Sequence, residues 1–324
     1  MYLAMYKWTF VRIFLFCIGI SLLAYIFYIG SDKFYLLKNK FYFFASMILI
    51  QYLISIFNVL TTKIILNYFG SSVSFIKGLR IIIMSSIANI IVPFGSLFSR
   101  GLLLKKESRL SYSNYTASMI AVNLWNLYII SIISTILIST INKDNDIVRI
   151  FQFLSVIFII IILSITIIFF IPYKIAAKYL KSDMRIIRIF CQVLEGFDII
   201  FSKKKYINTL LISAIIIIVC ILSACMYWFA FGIVTNGNVT FRNIFIFSVL
   251  QGTLSLFVII PGNFGFQEGY FVTLAVAFGI DFNTAASCAI FFRLASLSAL
   301  LIHYIIISLL PNDISFHNKE HMIN

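Results

Sequence analysis

A carboxylate and an arginine lie within otherwise apolar stretches near the C-terminal end of this 324-residue chain. Glu268 follows a Pro-Gly segment, and Arg293 lies inside the last long apolar run. A charged side chain inside a bilayer is costly, so it marks a functional site unless it serves only as a structural pair. Ala289, Arg293 and Ser296 share one helical face, which directs Arg293 into a helix bundle. We therefore predict a Glu268–Arg293 ion pair.

The backbone just before Glu268 is expected to be broken. Pro261 removes a backbone donor, and Gly262 and Gly265 flank Asn263 in a segment that favours a turn. A broken backbone is tolerated at membrane depth only where protein or a water-filled cavity satisfies its polar groups. Two interpretations stay open: a binding site inside the membrane, or an interfacial loop in which Glu268 caps the next helix.

A second break is predicted at Pro93, which is followed by Gly95, Ser99 and Arg100. Amide groups exposed by the break, together with the Arg100 guanidinium, would suit a lipid phosphate. The alternative is a proline kink followed by a cationic anchor at the membrane surface. That anchor would consist of Lys105, Lys106 and Arg109.

For several polar side chains inside apolar spans, more than one role is open. Single amides can join helices as well as contact a substrate, and this applies to Gln51, Asn58, Asn123 and Asn126. His303 lies deep in the last span, and no histidine has a partner at metal-ligand spacing, so we predict no metal and no cofactor. Asp281 is expected to cap the last helix.

The composition is that of a polytopic membrane protein: 62% hydrophobic residues, 11% charged residues and a mean hydropathy of +1.05. This predicts an all-α, polytopic transmembrane helical bundle and leaves no stretch for a sizeable soluble enzyme domain. The net charge of +14 comes from loops between apolar spans, which favours anionic lipid and membrane topology over a nucleic-acid partner.

About eight spans are predicted, with broken or re-entrant helices near Pro93 and Pro261. Residues 1–312 form one integral membrane domain, and residues 313–324 form a short polar tail. A shorter apolar piece, 270–280, is expected to be a half-helix after the second break. The predicted spans are 8–30, 41–60, 79–99, 116–141, 150–172, 208–233, 243–260 and 284–310.

Loop charge predicts the orientation of the spans. The intervals 100–115 and 173–206 are strongly basic and should be cytoplasmic, the latter as an amphipathic surface segment. Counting spans backward from there places Lys33, Lys38 and Lys40 inside, and Lys63, Lys77 and Arg80 outside. The second group conflicts with the positive-inside rule, and a re-entrant span at 79–99 would remove the conflict.

The chain also contains a weak internal repeat. A shift of 168 residues without gaps aligns seven positions across the two predicted breaks and the helices that follow them. Transporters often bind substrate where broken helices from two repeats meet. The aligned positions are Ile91, Pro93, Phe98, Gly101, Thr116, Ala117 and Ala121 with Ile259, Pro261, Phe266, Gly269, Thr284, Ala285 and Ala289.

The segment from Pro261 to Glu268 resembles the Pro-Gly-Gly-x-Gly-x-x-Glu signature of the lysylphosphatidylglycerol synthase transmembrane region, or flippase-like domain family. Asn89 to Ser113 looks like its other marked region, particularly in members associated with surface polysaccharide genes, and Arg293 matches the arginine after the second motif. Asn263 replaces a family glycine, and Trp125 stands where many members carry a charge. The resemblance implies a bundle that moves an anionic lipid between leaflets.

We therefore expect a flippase-like protein of the cytoplasmic membrane that handles an anionic lipid or a polyprenyl-phosphate-linked glycan in surface polysaccharide assembly. Arg100 and the amides near Pro93 would receive the phosphate, and Glu268 and Arg293 would form a switchable pair. No enzymatic activity is expected, and the oligomeric state is left open. Two alternatives remain: a membrane-embedded glycosyl- or phosphotransferase, and a scaffold that recruits polysaccharide enzymes through 173–206.

Overall fold

The computed structural model describes residues 17, 20–33, 35–91, 95–108, 112–139, 156–167, 206–235, 239–255 and 263–309, which contain helices and no strand. This confirms the predicted all-α fold class. The basic segment 173–205, the tail and the domain boundary at 312 lie outside these residues. The helices are α1 (Ile20–Gly30), α2 (Tyr35–Asn39), α3 (Phe41–Tyr68), α4 (Phe75–Ile91), α5 (Gly95–Ser108), α6 (Tyr112–Ser139), α7 (Val156–Ile167), α8 (Tyr206–Thr235), α9 (Phe241–Ser255), α10 (Phe266–Ala277) and α11 (Phe282–Leu309).

Four of these helices, α3, α6, α8 and α11, are long and apolar enough to cross a membrane. Crossing about 30 Å of hydrocarbon takes about 20 residues of α-helix, and these helices exceed that length. Their outer faces carry exposed apolar side chains such as Leu210 and Leu301, which are 64% and 61% exposed. Hydrocarbon solvates such a surface, so the chain is an integral membrane protein.

Helices α4 and α5 form an antiparallel hairpin. Arg100 Nε on α5 lies 3.3 Å from Ser85 Oγ on α4, and Lys77 Nζ lies 3.2 Å from Glu107 Oε2 at the open end. With 17 and 14 residues, neither helix is long enough to cross the membrane alone. The hairpin therefore enters and leaves the bundle at the same end.

The prediction of a single crossing span over 79–99 is wrong. The α4 helix ends at Ile91, two residues before Pro93. The nitrogen of a proline carries no hydrogen and cannot donate a helical hydrogen bond. Because Lys77 and Glu107 meet, the span count that separated Lys77 from the 100–115 region is also wrong. The re-entrant alternative places Lys77 at the same end of the bundle as the basic end of α5, which removes the charge conflict.

Helices α9 and α10 form a second antiparallel hairpin. Gln251 Nε2 donates to the Gln267 carbonyl at 3.3 Å, and Tyr270 Oη donates to the Leu250 carbonyl at 3.3 Å. The 12-residue α10 confirms the predicted half-helix. Residues 243–255 of the predicted span 243–260 lie in α9, and residues 256–260 lie outside the described residues.

The two hairpins open to opposite ends of the bundle. Arg80, near the open end of the first hairpin, donates to the Ile307 carbonyl at the C-terminal end of α11. The second hairpin leads through a short turn into the N-terminal end of α11, where Lys33 Nζ lies 2.6 Å from Thr284 Oγ1. Because α11 is long enough to cross the membrane, its two ends lie on opposite sides.

The order of the helices confirms the weak internal repeat. A long helix, a hairpin of two short helices and a second long helix occur twice, as α3–α6 and as α8–α11, offset by about 168 residues. Helices α3 and α8 run antiparallel: the Phe43 and Phe229 rings are 5.5 Å apart, and Lys40 Nζ lies 2.9 Å from the Gly232 carbonyl oxygen. The repeats are therefore inverted relative to one another, an arrangement common in transporters.

Cysteine labelling can test the re-entrant path of α4–α5. In a background with the five native cysteines replaced, Lys77→Cys and Glu107→Cys are expected to react with an impermeant maleimide from the same side of the membrane. Asn283→Cys, at the start of α11, should react only from the other side. Labelling of all three in detergent serves as the control. Reaction of Lys77→Cys and Glu107→Cys from opposite sides would show that the segment crosses the membrane.

Candidate functional site

The predicted ion pair between Glu268 on α10 and Arg293 on α11 is present. Arg293 Nε donates to Glu268 Oε1, and the two side chains are only 15% and 3% exposed. The second carboxylate oxygen, Oε2, accepts the Gly265 N–H at 2.7 Å. Glu268 therefore caps α10 and pairs with Arg293 through different oxygens.

The turn before α10 shapes the surroundings of this pair. Gly265 has a φ of 77°, which glycine adopts at little cost, and Asn263 has a φ of 49°, which asparagine tolerates better than most residues. The turn places the Phe264 ring 4.9 Å from Arg293 Cζ, a cation–π contact. Arg293 Nη2 also donates to Gln267 Oε1 at 3.4 Å, so the guanidinium is held in one orientation.

Arg293 lines a cavity of about 280 Å³ between α3, α4, α10 and α11, here called the small cavity. Its walls are largely amide and hydroxyl side chains, an unusual lining for the interior of a membrane bundle. Among the described residues on its walls, Arg293 is the only Lys, Arg, Asp or Glu. The polar lining residues are Gln51, Ser55, Ser86, Asn89, Asn263, Gln267, Arg293, Ser296 and His303.

Arg100 lines a second cavity of about 340 Å³, here called the large cavity. Among the described residues its guanidinium has two neutral partners: Nε donates to Ser85 Oγ and Nη2 to Ser96 Oγ, each at 3.3 Å. The single amides whose role the sequence left open all lie on this cavity, and further amides and hydroxyls join them. The polar lining residues are Gln51, Asn58, Thr61, Thr62, Arg100, Asn123, Asn126, Ser223, Ser248, Gln251 and Gln267.

The two cavities adjoin, because Gln51 and Gln267 line both. The arginines of the two repeats therefore lie on either side of a shared amide wall. On the walls of the large cavity, Ser248 Oγ and Gln251 Oε1 are buried and have no hydrogen-bond partner among the described residues. Such atoms are rare unless water or a ligand satisfies them, so the cavity suits a hydrophilic occupant.

The structure brings together only part of the predicted site. Asn263, Gly265, Glu268 and Arg293 form one cluster, whereas Arg100 lies on the neighbouring cavity. Pro93, Pro261 and Gly262 lie outside the described residues. Their described neighbours Asn89 and Asn263 line the same small cavity, so the helix ends flanking the two breaks approach one another.

Gly95 and Ser99 have local roles in the α4–α5 hairpin. The Gly95 backbone lies against α4 so closely that an added Cβ would be 2.1 Å from the Ala88 carbonyl oxygen. Ser99 Oγ donates to the Gly95 carbonyl at 2.6 Å within its own helix. Both residues therefore stabilise the α4–α5 hairpin, which positions Arg100.

Several cavity residues had no predicted role in the site. Gln267 directly precedes Glu268 and connects the two cavities, and Gln251 donates to its carbonyl. Asn89 ends the apolar run of α4, and His303 shares the cavity with Arg293 on α11. The signal available for them was a polar side chain inside an apolar span, which by itself does not distinguish a cavity wall from a helix contact.

A comparison with known families agrees with this architecture. A family model described as Lysylphosphatidylglycerol synthase TM region matches residues 9–303, nearly the whole chain. No curated protein and no solved structure matches the chain. The match includes both hairpins, both cavities and the Glu268–Arg293 pair. The chain therefore belongs to the lysylphosphatidylglycerol synthase transmembrane region family, a membrane domain of the flippase-like type.

Proposed function

We propose that this protein moves a lipid with an anionic head group between the leaflets of the cytoplasmic membrane. The observation that carries the proposal is the pair of adjoining cavities inside an inverted-repeat bundle, each with amide and hydroxyl side chains and one arginine on its described walls. A phosphate cannot cross hydrocarbon without polar groups that replace its hydration. These cavities are where the described part of the chain offers such groups.

In the proposed cycle, Arg100 receives the phosphate. Its hydrogen-bond partners Ser85 and Ser96 are neutral hydroxyls, so a phosphate would exchange weak bonds for stronger, charge-assisted ones. Bidentate binding of a phosphate suits the planar guanidinium. Arg100 lies between the membrane surface end of α5 and the interior of the large cavity, which makes it the first group of the path.

Arg293 is the second group of the proposed path. Its charge is balanced by Glu268, so a phosphate that reaches the small cavity competes with the carboxylate for the same guanidinium. Exchange of partners would loosen the contact between α10 and α11 while cargo is present. Gln267, which bonds Arg293 and lines both cavities, lies where the cargo would pass from one arginine to the other.

The cavity walls favour anionic over cationic head groups. Neither cavity has an Asp or Glu among the described residues on its walls, so a lysyl head group would find no carboxylate partner. The amides and hydroxyls suit glycerol or sugar hydroxyls. The proposed cargo is therefore an anionic phospholipid or a polyprenyl-phosphate-linked glycan. For a glycan cargo, the proposed partners are polysaccharide-assembly enzymes, recruited through 173–206.

Translocation in reconstituted vesicles tests the proposal. Purified protein should accelerate the exchange of fluorescent phosphatidylglycerol between leaflets, and Arg100→Gln should slow it about tenfold or more, because a charged hydrogen bond to phosphate is lost. The matched control is Arg80→Gln, an arginine that bonds the Ile307 carbonyl and lines neither cavity. Lysylphosphatidylglycerol should move more slowly than phosphatidylglycerol. Wild-type vesicles no faster than protein-free vesicles would refute the function.

A further inference from the structure

His303 is a titratable side chain in the small cavity that the proposed cycle does not use. It is 3% exposed and lines the cavity from α11, with its ring 4.8 Å from the Tyr52 ring on α3. No described residue forms a hydrogen bond with its imidazole. Buried polar groups are nearly always paired, so an imidazole that faces this cavity and has no partner among the described residues is available to bind a proton or a ligand.

Two arginines lie on either side of His303 along the length of α11. Arg293 lies ten residues earlier on α11, about 15 Å along the axis, and Arg80 on α4 bonds the Ile307 carbonyl one turn beyond His303. Arg293 is bound to Glu268, so this pair carries no net charge. The other polar residues described around His303 are neutral, and they are Gln51, Tyr52 and Ser55 on α3, Ser86 and Asn89 on α4, Asn263 before α10, Gln267 on α10 and Ser296 on α11.

An anion in the small cavity would couple to proton binding by His303. While the cavity holds no anion, no counter-charge on its described walls offsets a positive charge on the buried imidazole of His303. An anion between His303 and Arg293 would lie roughly 7 Å from each and would favour the imidazolium. The coupling is reciprocal. The factor by which the anion raises the affinity of His303 for a proton equals the factor by which protonated His303 raises the affinity of the cavity for the anion.

We propose that His303 takes up one proton from water when the lipid phosphate enters the small cavity, so that proton and anion cross together. This inference rests on the proposed function and adds its coupling ion. No covalent bond forms or breaks, because the proton binds the imidazole lone pair on entry and leaves to water on release. The positive imidazolium offsets part of the negative phosphate charge, which lowers the free energy of the lipid-loaded protein in the membrane.

The pH dependence of translocation tests the inference. Between about pH 5.5 and pH 8, across the usual range of imidazole titration, wild-type exchange of phosphatidylglycerol should fall at least about fivefold as pH rises. His303→Gln keeps a hydrogen-bonding side chain but cannot titrate, so its rate should be independent of pH. His317→Gln, in the polar tail, is the matched control and should behave like the wild type.

Proton uptake gives a second measurement that does not depend on a folded variant. With a pH-sensitive dye in the vesicle lumen, addition of phosphatidylglycerol to one leaflet should drive proton movement in wild-type vesicles and none in protein-free vesicles. Wild-type translocation without pH dependence or proton movement would overturn the inference and leave the proposed function standing. An equal pH dependence in His303→Gln would also overturn it. Absence of translocation at every pH would instead refute the proposed function.

Discussion

Replacing Glu268 with glutamine is expected to lower the free energy of unfolding by about 3–5 kcal/mol, because Arg293 then stays inside the bundle without its counter-charge. The glutamine carbonyl can still accept the Gly265 N–H, so the loss reports on the ion pair rather than on the cap of α10. Thermal unfolding in detergent measures the change. Translocation of phosphatidylglycerol should fall as well, since the proposed partner exchange needs the carboxylate.

A double variant separates charge balance from function. Glu268→Gln combined with Arg293→Gln removes both charges, so most of the lost stability should return while translocation stays low. Glu107→Gln is the matched control, because it removes a pair with Lys77 whose side chains are 34% and 40% exposed. An exposed pair contributes at most about 1 kcal/mol. If Glu268→Gln costs no more than this control, the buried pair does not stabilise the fold.

Replacing Gly95 with alanine is expected to destabilise the protein by about 3 kcal/mol, the upper part of the usual range for overpacking. The added methyl would lie 2.1 Å from the Ala88 carbonyl oxygen and 2.5 Å from its carbon, and neither is a flexible side chain. The α4–α5 hairpin must therefore open at its tip. That movement would also separate Arg100 from Ser85, so translocation should fall together with the unfolding temperature.

Gly232→Ala is the matched control for this substitution. Gly232 lies inside α8, and an added Cβ would meet only the Phe43 ring at 3.6 Å or more, an ordinary contact. Alanine is a better helix former than glycine by up to about 1 kcal/mol, so this variant should be neutral or slightly stabilised. Equal unfolding temperatures for the two variants would show that the hairpin tip is not tightly packed.

The path of the chain through the membrane illustrates a limit of span counting. Residues 79–99 are as apolar as a crossing helix, yet α4 and α5 return to the end of the bundle from which they came. Pro93 and Gly95 predict a break in the helix. The direction of the chain after the break depends on the contacts of Gly95 with Ala88 and of Arg100 with Ser85. These are contacts between two helices, which hydropathy does not record.

The internal repeat shows what a weak sequence signal can and cannot support. Seven aligned positions predicted two related halves, and the structure has the same helix order in both. The charged site is nevertheless built differently in each half. Trp125 occupies the position equivalent to Arg293 and donates to Ser213 at 3.0 Å, joining α6 to α8. The buried ion pair therefore belongs to the second repeat, and Arg100 has serine partners instead.

By itself, the sequence determined that this chain is a bundle of membrane helices with two breaks, because hydrocarbon imposes its requirements on each segment separately. It also determined the Glu268–Arg293 pair, since the two charges lie in comparably apolar surroundings and each is costly alone. Only the tertiary structure decided that the hairpins open to opposite ends and that Gln51 and Gln267 join two cavities. A cavity is formed by faces of several helices, and the apolar pattern of one helix does not specify which faces will meet.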